Sequence, residues 1–385
     1  MKSFFIYSAG GGAGDWNGIK RIWNDCMPQS IKSKILLKFG DIFLEHATGT
    51  RVIRPQRWAN INNLRSWLYK NTSDEFVLSP QCSILLDSGT AKAVNLIAYH
   101  NPDANCKKMI EAFNKMFYDN NIFEKYISIV CDSEINNAVT FDIPNPFKIR
   151  SQSSNTRLNI LEKDSNNKLI SLSAEYSNIL YKEIKKRKGT DFADSVVTTI
   201  INGTWTQPEI DLFLSKLEYN PYNSIAIGGL SSTSINPNKI GNYLDNLVPY
   251  KFEQAKTLHF LGCGGLKKAQ SIKHYGYNKN NTSVDCSTYI NRSIDGRTDG
   301  KAQSGYFDYN SKALIRISSD TKKQILHLHN QFPDSLFSCE QMEEIIDTVI
   351  LHQSKQSSLE TYNARAKLII HNADVFRYNV EARTN

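Results

Sequence analysis

The chain has 385 residues, 40% hydrophobic and 22% charged, with 11 prolines and 20 glycines; this excludes a disordered chain, a coiled coil and a low-complexity scaffold. Lys and Arg number 46 against 38 Asp and Glu, a net charge of +8, which suits a polyanion such as nucleic acid but is shared with many proteins that bind none. No apolar run approaches the ~18 residues of a membrane span, and Phe4-Phe5-Ile6-Tyr7 is shorter than a secretory stretch. The seven cysteines are scattered without a CxxC pair, which fits buried thiols in a reducing compartment. A soluble cytoplasmic protein with no membrane partner is expected.

The N-terminal stretch before about residue 76 is the least legible. Its Gly10-Gly11-Gly12-Ala13-Gly14 imitates a phosphate loop, but no Gly-Lys-Ser/Thr follows, so it reads as a turn. From there short runs of β-formers recur at 83–87, 138–142, 196–202, 224–229, 257–262 and 283–285. They lack clean alternation, as strands buried on both faces should. Apolar residues at helical spacing separate several of them, at 109–117 and 170–188, and a helix at 208–217 begins with Pro208. Alternating strand and helix predicts a parallel sheet. Six or more such units over about 250 residues fit a (β/α)8 TIM-type barrel better than a doubly wound sheet. Beyond about Ser319 the pattern turns helical, with stretches at 339–351 and 358–382. The expected organisation is a barrel domain over 1–318, irregular at its start, and a helical appendage over 319–385.

A barrel of this kind works at the C-terminal ends of its strands. The polar or small residues there are Asp87, Asp142, Asn202, Gly228, Gly229, Gly262 and Asp285. Asp87 and Asp285 could divide labour, one as nucleophile and one as acid/base, as at a sugar anomeric carbon. Equally, each could cap the helix after its strand. Asp142 could read the N1–H and amino edge of guanine, with a Gly-Gly backbone reading the other edge, or it could open the proline-bounded turn that follows. Lys267, Lys268, Arg292, Arg297 and Lys301 follow strand ends at the mouth and are candidates for phosphate contacts. The run Lys185-Lys186-Arg187-Lys188 closes a helix at the opposite face and reads as a solvated helix end.

Six segments, in order, resemble the tRNA-guanine transglycosylase superfamily. Ile84-Leu85-Leu86-Asp87-Ser88-Gly89 is similar to its Asp-Ser-Gly motif, and Phe141-Asp142 to its base-recognition aspartate. Ile201-Asn202-Gly203 resembles its Gln-Gly strand end, and Ala226-Ile227-Gly228-Gly229-Leu230 its Gly-Gly-Leu turn. His259-Phe260-Leu261-Gly262-Cys263-Gly264 resembles its Leu-Met-Gly-x-Gly strand. Val284-Asp285-Cys286-Ser287-Thr288-Tyr289, with Asp295-Gly296-Arg297 downstream, resembles its nucleophile segment. The resemblance spans Ser83 to about Lys301. It implies a pentosyltransferase that exchanges guanine for a 7-deazaguanine through a covalent enzyme–nucleic acid intermediate. It implies Asp285 as nucleophile at C1′ and Asp87 as general acid/base. Asp142, Asn202, Gly228 and Gly229 would hold the base, with Ser88 and Leu261 lining the pocket.

Three departures from the family stand out. Thr90 and Ala91 occupy the place of a glycine and a base-stacking aromatic, Asn202 replaces a glutamine, and the structural zinc motif CxCxxC is missing. His327-Leu328-His329 has the spacing of the first cysteine pair, Cys339 precedes a helix as the last cysteine does, and Ile370-His371-Asn372 resembles the final ligand segment. A structural zinc held by His327, His329, Cys339 and His371 is therefore one expectation, with His352 as an alternative ligand; loss of the metal is the other. The tail after Lys301 is short for an appended RNA-binding domain. The chain's divergent asparagine-rich loops and altered zinc segment look more like the branch that inserts 7-deazaguanines such as 7-cyano-7-deazaguanine (preQ0) into DNA, in phage and bacterial modification systems. A DNA-guanine transglycosylase is the leading expectation, working in the host cytoplasm if phage-encoded. A tRNA enzyme with the same residues, a non-catalytic nucleic-acid-binding subunit and a retaining glycosidase are the alternatives. Family resemblance makes a homodimer plausible.

Overall fold

The computed structural model describes residues 1–6, 31, 33–39, 44–46, 53–55, 82–90, 106–115, 122–143, 163–230, 235, 238–263, 266–277, 280–285, 304–311, 313–332, 334–351 and 359–381. Its strands are β1 (Lys2–Ile6), β2 (Lys34–Lys38), β3 (Leu44–His46), β4 (Ile53–Pro55), β5 (Ser83–Asp87), β6 (Asn137–Val139), β7 (Val197–Asn202), β8 (Ser224–Gly228), β9 (Thr257–Phe260), β10 (Thr282–Asp285), β11 (Gly305–Phe307) and β12 (Leu314–Arg316). The helices are α1 (Cys106–Asn114), α2 (Ile122–Asp132), α3 (Lys163–Lys188), α4 (Thr190–Val196), α5 (Gln207–Ser215), α6 (Ile240–Asp245), α7 (Leu266–His274), α8 (Lys322–Asn330), α9 (Cys339–Leu351) and α10 (Leu359–Glu381).

Eight strands close a barrel in the order β1-β10-β9-β8-β7-β6-β5-β2. All eight pairings, including β1 with β2, are parallel. This is the expected (β/α)8 architecture, and the six anticipated strands all belong to it. The two strands that complete it, β1 and β2, come from the N-terminal stretch whose sequence carries the weakest pattern. Two short antiparallel ribbons, β3–β4 and β11–β12, stand apart from the barrel sheet.

Side chains alternate between the two faces of each strand. Thr199 Oγ1 meets the Tyr219 hydroxyl at 3.0 Å, outside the barrel, where Tyr219 stacks on Tyr181 of α3. Thr198, Ile200 and Asn202 therefore point inward. Asn137, Thr198, Ser224 and Thr257 hydrogen-bond in series across four neighbouring strands, a polar layer that runs from the buried Thr198 and Ser224 to the exposed Thr257. Apolar positions such as Ile225, Ile227, Leu258, Phe260 and Val284 face the helices, and all are fully buried. Burying each such side chain contributes roughly 1.5–3 kcal/mol.

The helical tail packs against the foot of the barrel. Glu381 at the end of α10 accepts from the backbone N–H and hydroxyl of Ser3 at 3.1 and 3.2 Å, and from Lys34 at 3.4 Å. Both partners stand at the starts of their strands, so α10 fixes β1 and β2 at the face opposite the strand ends. Asn372 in the same helix accepts from Phe307 N at 2.8 Å and donates to Gly305 O at 2.9 Å, satisfying the free edge of β11. The basic run ending α3 is a solvated helix end as expected, with Lys185, Lys186, Arg187 and Lys188 all exposed; Arg187 Nη2 in addition reaches both carboxylate oxygens of Glu124 at 2.7 Å. Of the cysteines described, Cys82, Cys131 and Cys263 are buried free thiols and Cys339 is half-buried. Among the described residues no helix is long and apolar enough to cross a membrane.

Tyr126 of α2 ties β5 to β6: its buried hydroxyl lies 2.7 Å from Val139 O and 3.2 Å from Leu86 O. Burial and the nearby Asp87 carboxylate hold this phenol well above its ordinary pKa, so it stays a donor. Tyr126→Phe is expected to lower the unfolding free energy by about 1–2 kcal/mol, read from the denaturant midpoint. An unchanged midpoint would remove the hydroxyl from the account of how β5 and β6 are held.

Candidate active site

The C-terminal ends of the strands gather most of the expected residues on one rim. Asp87 ends β5, Asn202 ends β7, Gly228 ends β8 and Asp285 ends β10. Asp142 lies three residues past β6, held by the fully buried Phe141 beside it and by Ser173, whose hydroxyl accepts from Ile143 N at 2.9 Å.

One cluster forms between β6, β7 and β8. A methyl group built on Gly228 would stand 3.5 Å from Asp142 Oδ2, and one built on Gly229 only 2.4 Å from Asn202 Oδ1. Asp142, Asn202 and the Gly228-Gly229 turn therefore meet. Gly229 also has φ +79°, so both the conformation and the space at that position require glycine. Asn202 Oδ1 is occupied by the backbone N–H and hydroxyl of Thr204, at 3.0 and 2.8 Å. Its amide NH2 is thereby turned into the donor left for a ligand. Asp142 is 8% exposed, and burial, reinforced by the Asp87 carboxylate, raises its pKa to about 7. Asp87 is thus close enough to Asp142 to act on it, while its own Oδ1 accepts from Gly89 N at 3.2 Å.

A second cluster surrounds Asp285, which is 1% exposed. Its Oδ1 accepts from Gly262 N at 2.7 Å and faces His259 Nε2 at 2.9 Å. Gly262 has φ +57°, the left-handed conformation that aims its N–H at the carboxylate. Cys263 N donates to the Asp285 backbone carbonyl at 3.0 Å, so the turn after β9 is laced to the end of β10. Leu261, half-buried, is held in the same turn by its N–H on Ile227 O at 2.9 Å. Ser88, buried, shares a 2.8 Å hydrogen bond with the Thr90 hydroxyl.

The expected phosphate contacts divide. Lys267 is exposed in the first turn of α7, on the side of the mouth. Lys268 departs from the expectation: it is 6% exposed and its ammonium donates to Leu230 O at 2.7 Å. It braces the Gly228-Gly229-Leu230 turn from inside instead of presenting charge to a nucleic acid. The helical period of α7 sends neighbouring lysines to opposite faces, which a list of basic residues after a strand does not reveal. Arg292, Arg297 and Lys301 lie outside the described residues, as do the N-terminal glycines and His352.

The four residues expected to hold zinc do not come together as a four-ligand site. His329 and His371 do meet, with ring centroids 5.3 Å apart, and Tyr306 stacks on His371 at 4.5 Å. Both ring nitrogens of His329 are occupied: Nδ1 faces the Tyr306 hydroxyl at 3.3 Å, and Nε2 faces Phe337 O at 2.8 Å and Ser335 Oγ at 3.1 Å. His371 Nδ1 is buried without a partner. His327 is exposed and bonds Gln331 one turn on, and Cys339 Sγ contacts Asn330. Among the described residues no three His, Cys, Asp or Glu side chains are grouped to hold a metal ion. Burial lowers the pKa of both imidazoles, that of His371 to about 3, with His329 adding to the effect. What stands there is a pair of uncharged histidines packed against a tyrosine.

Spacing along the chain missed His259, because the sequence presents it inside an apolar strand; its partners lie on the next strand over. No model of a known protein family matches the chain, and no curated protein matches it. The class that fold and site define is a parallel (β/α)8 barrel with carboxylates at the C-terminal ends of its strands.

Since Asp142 titrates near 7 in the fold but near its ordinary value when unfolded, the folded chain keeps a proton that the unfolded chain loses. Its contribution to stability is largest at acid pH and falls as pH rises from about 4 to about 7. Across that window the stability difference between Asp142→Asn and wild type is expected to move in the variant's favour, by on the order of 4 kcal/mol. Paired denaturant titrations read it; a difference flat in pH would mean that Asp142 is already ionised throughout.

Proposed function

We propose that this protein is a guanine transglycosylase acting on DNA, replacing guanine with a 7-deazaguanine base through an aspartyl–deoxyribose intermediate. The observation that carries the reading is the meeting of Asp142, Asn202 and the Gly228-Gly229 backbone at one point of the rim, on the same strand ends as Asp87 and Asp285. That cluster offers one side of a flat base a carboxylate for its N1–H and amino hydrogens. It offers the other side amide donors for O6 and N7. A plain retaining glycosidase would have carboxylates but no use for such a base cradle.

In the first half-reaction a carboxylate oxygen of Asp285 attacks C1′. The C1′–N9 bond breaks with its electron pair going to guanine, and Asp87 supplies a proton to the departing base. In the second, the N9–H proton of the incoming 7-deazaguanine passes to Asp87. N9 then attacks C1′, and the C1′–O bond breaks to restore the Asp285 carboxylate. Because the target base is stacked in a duplex, it must be flipped out or offered on a single strand. The exposed face of α9 carries Glu340, Glu343, Glu344 and Asp347, an acidic surface that does not suit phosphates. Asp142 must be ionised to accept two base hydrogens, so capture of the base should strengthen as pH rises through about 7.

The test uses duplex DNA and, separately, tRNA, each carrying labelled guanine and supplied with 7-cyano-7-deazaguanine. Release of guanine from DNA alone is expected. Release from tRNA alone would transfer the reading to an RNA enzyme with the same residues, and release from neither would overturn it. Asp285→Asn is expected to abolish the covalent adduct seen on a denaturing gel. Asp87→Asn should still bind nucleic acid but exchange about 10²–10⁴-fold more slowly. A full-rate Asp285→Asn protein would remove Asp285 as the nucleophile.

A further inference from the structure

The Asp285 carboxylate is held asymmetrically. Two groups converge on Oδ1, the Gly262 N–H at 2.7 Å and His259 Nε2 at 2.9 Å, while Oδ2 makes no hydrogen bond among the described residues. An ionised carboxylate accepts only, so Nε2 carries a hydrogen. The other ring nitrogen, Nδ1, lies 2.8 Å from Ser283 Oγ, whereas that hydroxyl is 3.4 Å from Leu258 O. The ring itself is wedged by the edge of Phe4, with centroids 5.3 Å apart and planes at 86°. His259 is 4% exposed and Ser283 9%. Three neighbouring strands, β1, β9 and β10, thus fix one imidazole in place and in orientation.

We propose that His259 is a positioning residue for Asp285: with the Gly262 N–H it pins Oδ1 and presents Oδ2 as the oxygen that attacks the sugar carbon. This role rests on the function proposed above. A carboxylate free to rotate about its Cβ–Cγ bond offers either oxygen in many directions, and small misplacement of a reacting atom costs rate steeply. The same two donors stabilise the charge that returns to the carboxylate when the C1′–Oδ2 bond breaks in the second half-reaction. The order Ser283–His259–Asp285 imitates a hydrolase triad, but Ser283 lies two residues below the strand end, under Asp285, where no substrate carbonyl reaches its hydroxyl. The relay therefore runs toward the carboxylate at the mouth.

The experiment follows covalent-adduct formation and steady-state exchange with the nucleic acid on which wild type is active. His259→Phe keeps the ring packing against Phe4 and removes both nitrogens. It is expected to lower kcat and the rate of adduct formation about 10- to 100-fold, with KM for nucleic acid and base unchanged and the melting curve cooperative. His259→Gln, which keeps an N–H donor of similar reach, should recover the larger part of that loss. Ser283→Ala, which frees the ring without removing its donor, should give a smaller fall in kcat alone. A wild-type rate in His259→Phe would overturn the role while leaving the transglycosylase reading intact. A loss that glutamine does not restore and that appears in KM would make His259 a packing residue. A wild-type protein that forms no adduct with DNA or tRNA would overturn both.

Discussion

Everything at the rim depends on the parallel closure of the barrel through β1. This strand pairs with β10 on one side and β2 on the other, and without it the sheet would be an open one with β10 as its edge. Because all eight strands run the same way, closure places every C-terminal end on one rim. Asp87 and Asp285, separated in the sequence by nearly two hundred residues, come to the same mouth only through β1 and β2. The fixing of β1 at its other end is the work of Glu381, whose carboxylate takes the N–H and hydroxyl of Ser3 while bridging to Lys34. The last turn of α10 thus holds the first strand of the barrel from the face opposite the rim.

The rim gives two buried carboxylates opposite surroundings. Asp142 sits where burial and the neighbouring Asp87 both disfavour ionisation. Asp285, at least as buried, is surrounded by N–H groups aimed at one of its oxygens. The supporting residues are as specific as the carboxylates. Lys268 spends its charge inside on Leu230 O, where it steadies the glycine turn. Asn202 gives its oxygen to Thr204, so that a shorter side chain than glutamine is still held in a defined orientation.

The appendage contributes packing at the foot of the barrel. Its residues Ile325, Met342, Ile346 and Leu368 join the same buried core as the barrel strands and helices. The histidine pair His329 and His371 with Tyr306 fills its interior by stacking and hydrogen bonding. A buried imidazole that stays uncharged behaves as an aromatic with one polar edge, and this cluster uses that property for cohesion. The spacing His327-x-His329 suggested metal ligands because spacing reports positions along a helix. It does not report that residues two apart on a helix point to different sides.

Much of the architecture was legible along the chain. Strand-length runs of β-formers alternating with helical periods specify a parallel sheet, and the residues that end those runs are the ones found on the rim. Local rules suffice there, since hydrogen-bonding geometry and side-chain period act within a few residues. Glycines at 228, 229 and 262 were likewise visible as breaks in apolar runs. What only the tertiary structure decided are relations across strands. These are the recruitment of β1 and β2 from a weakly patterned N-terminus, the burial of Lys268, the meeting of His329 with His371, and the imidazole of His259 on Asp285. A histidine inside an apolar strand looks like core until the neighbouring strand supplies its partner. Strand pairing sets that register through backbone hydrogen bonds between segments distant in sequence, so the partner of a side chain is a property of the closed barrel and of no segment alone.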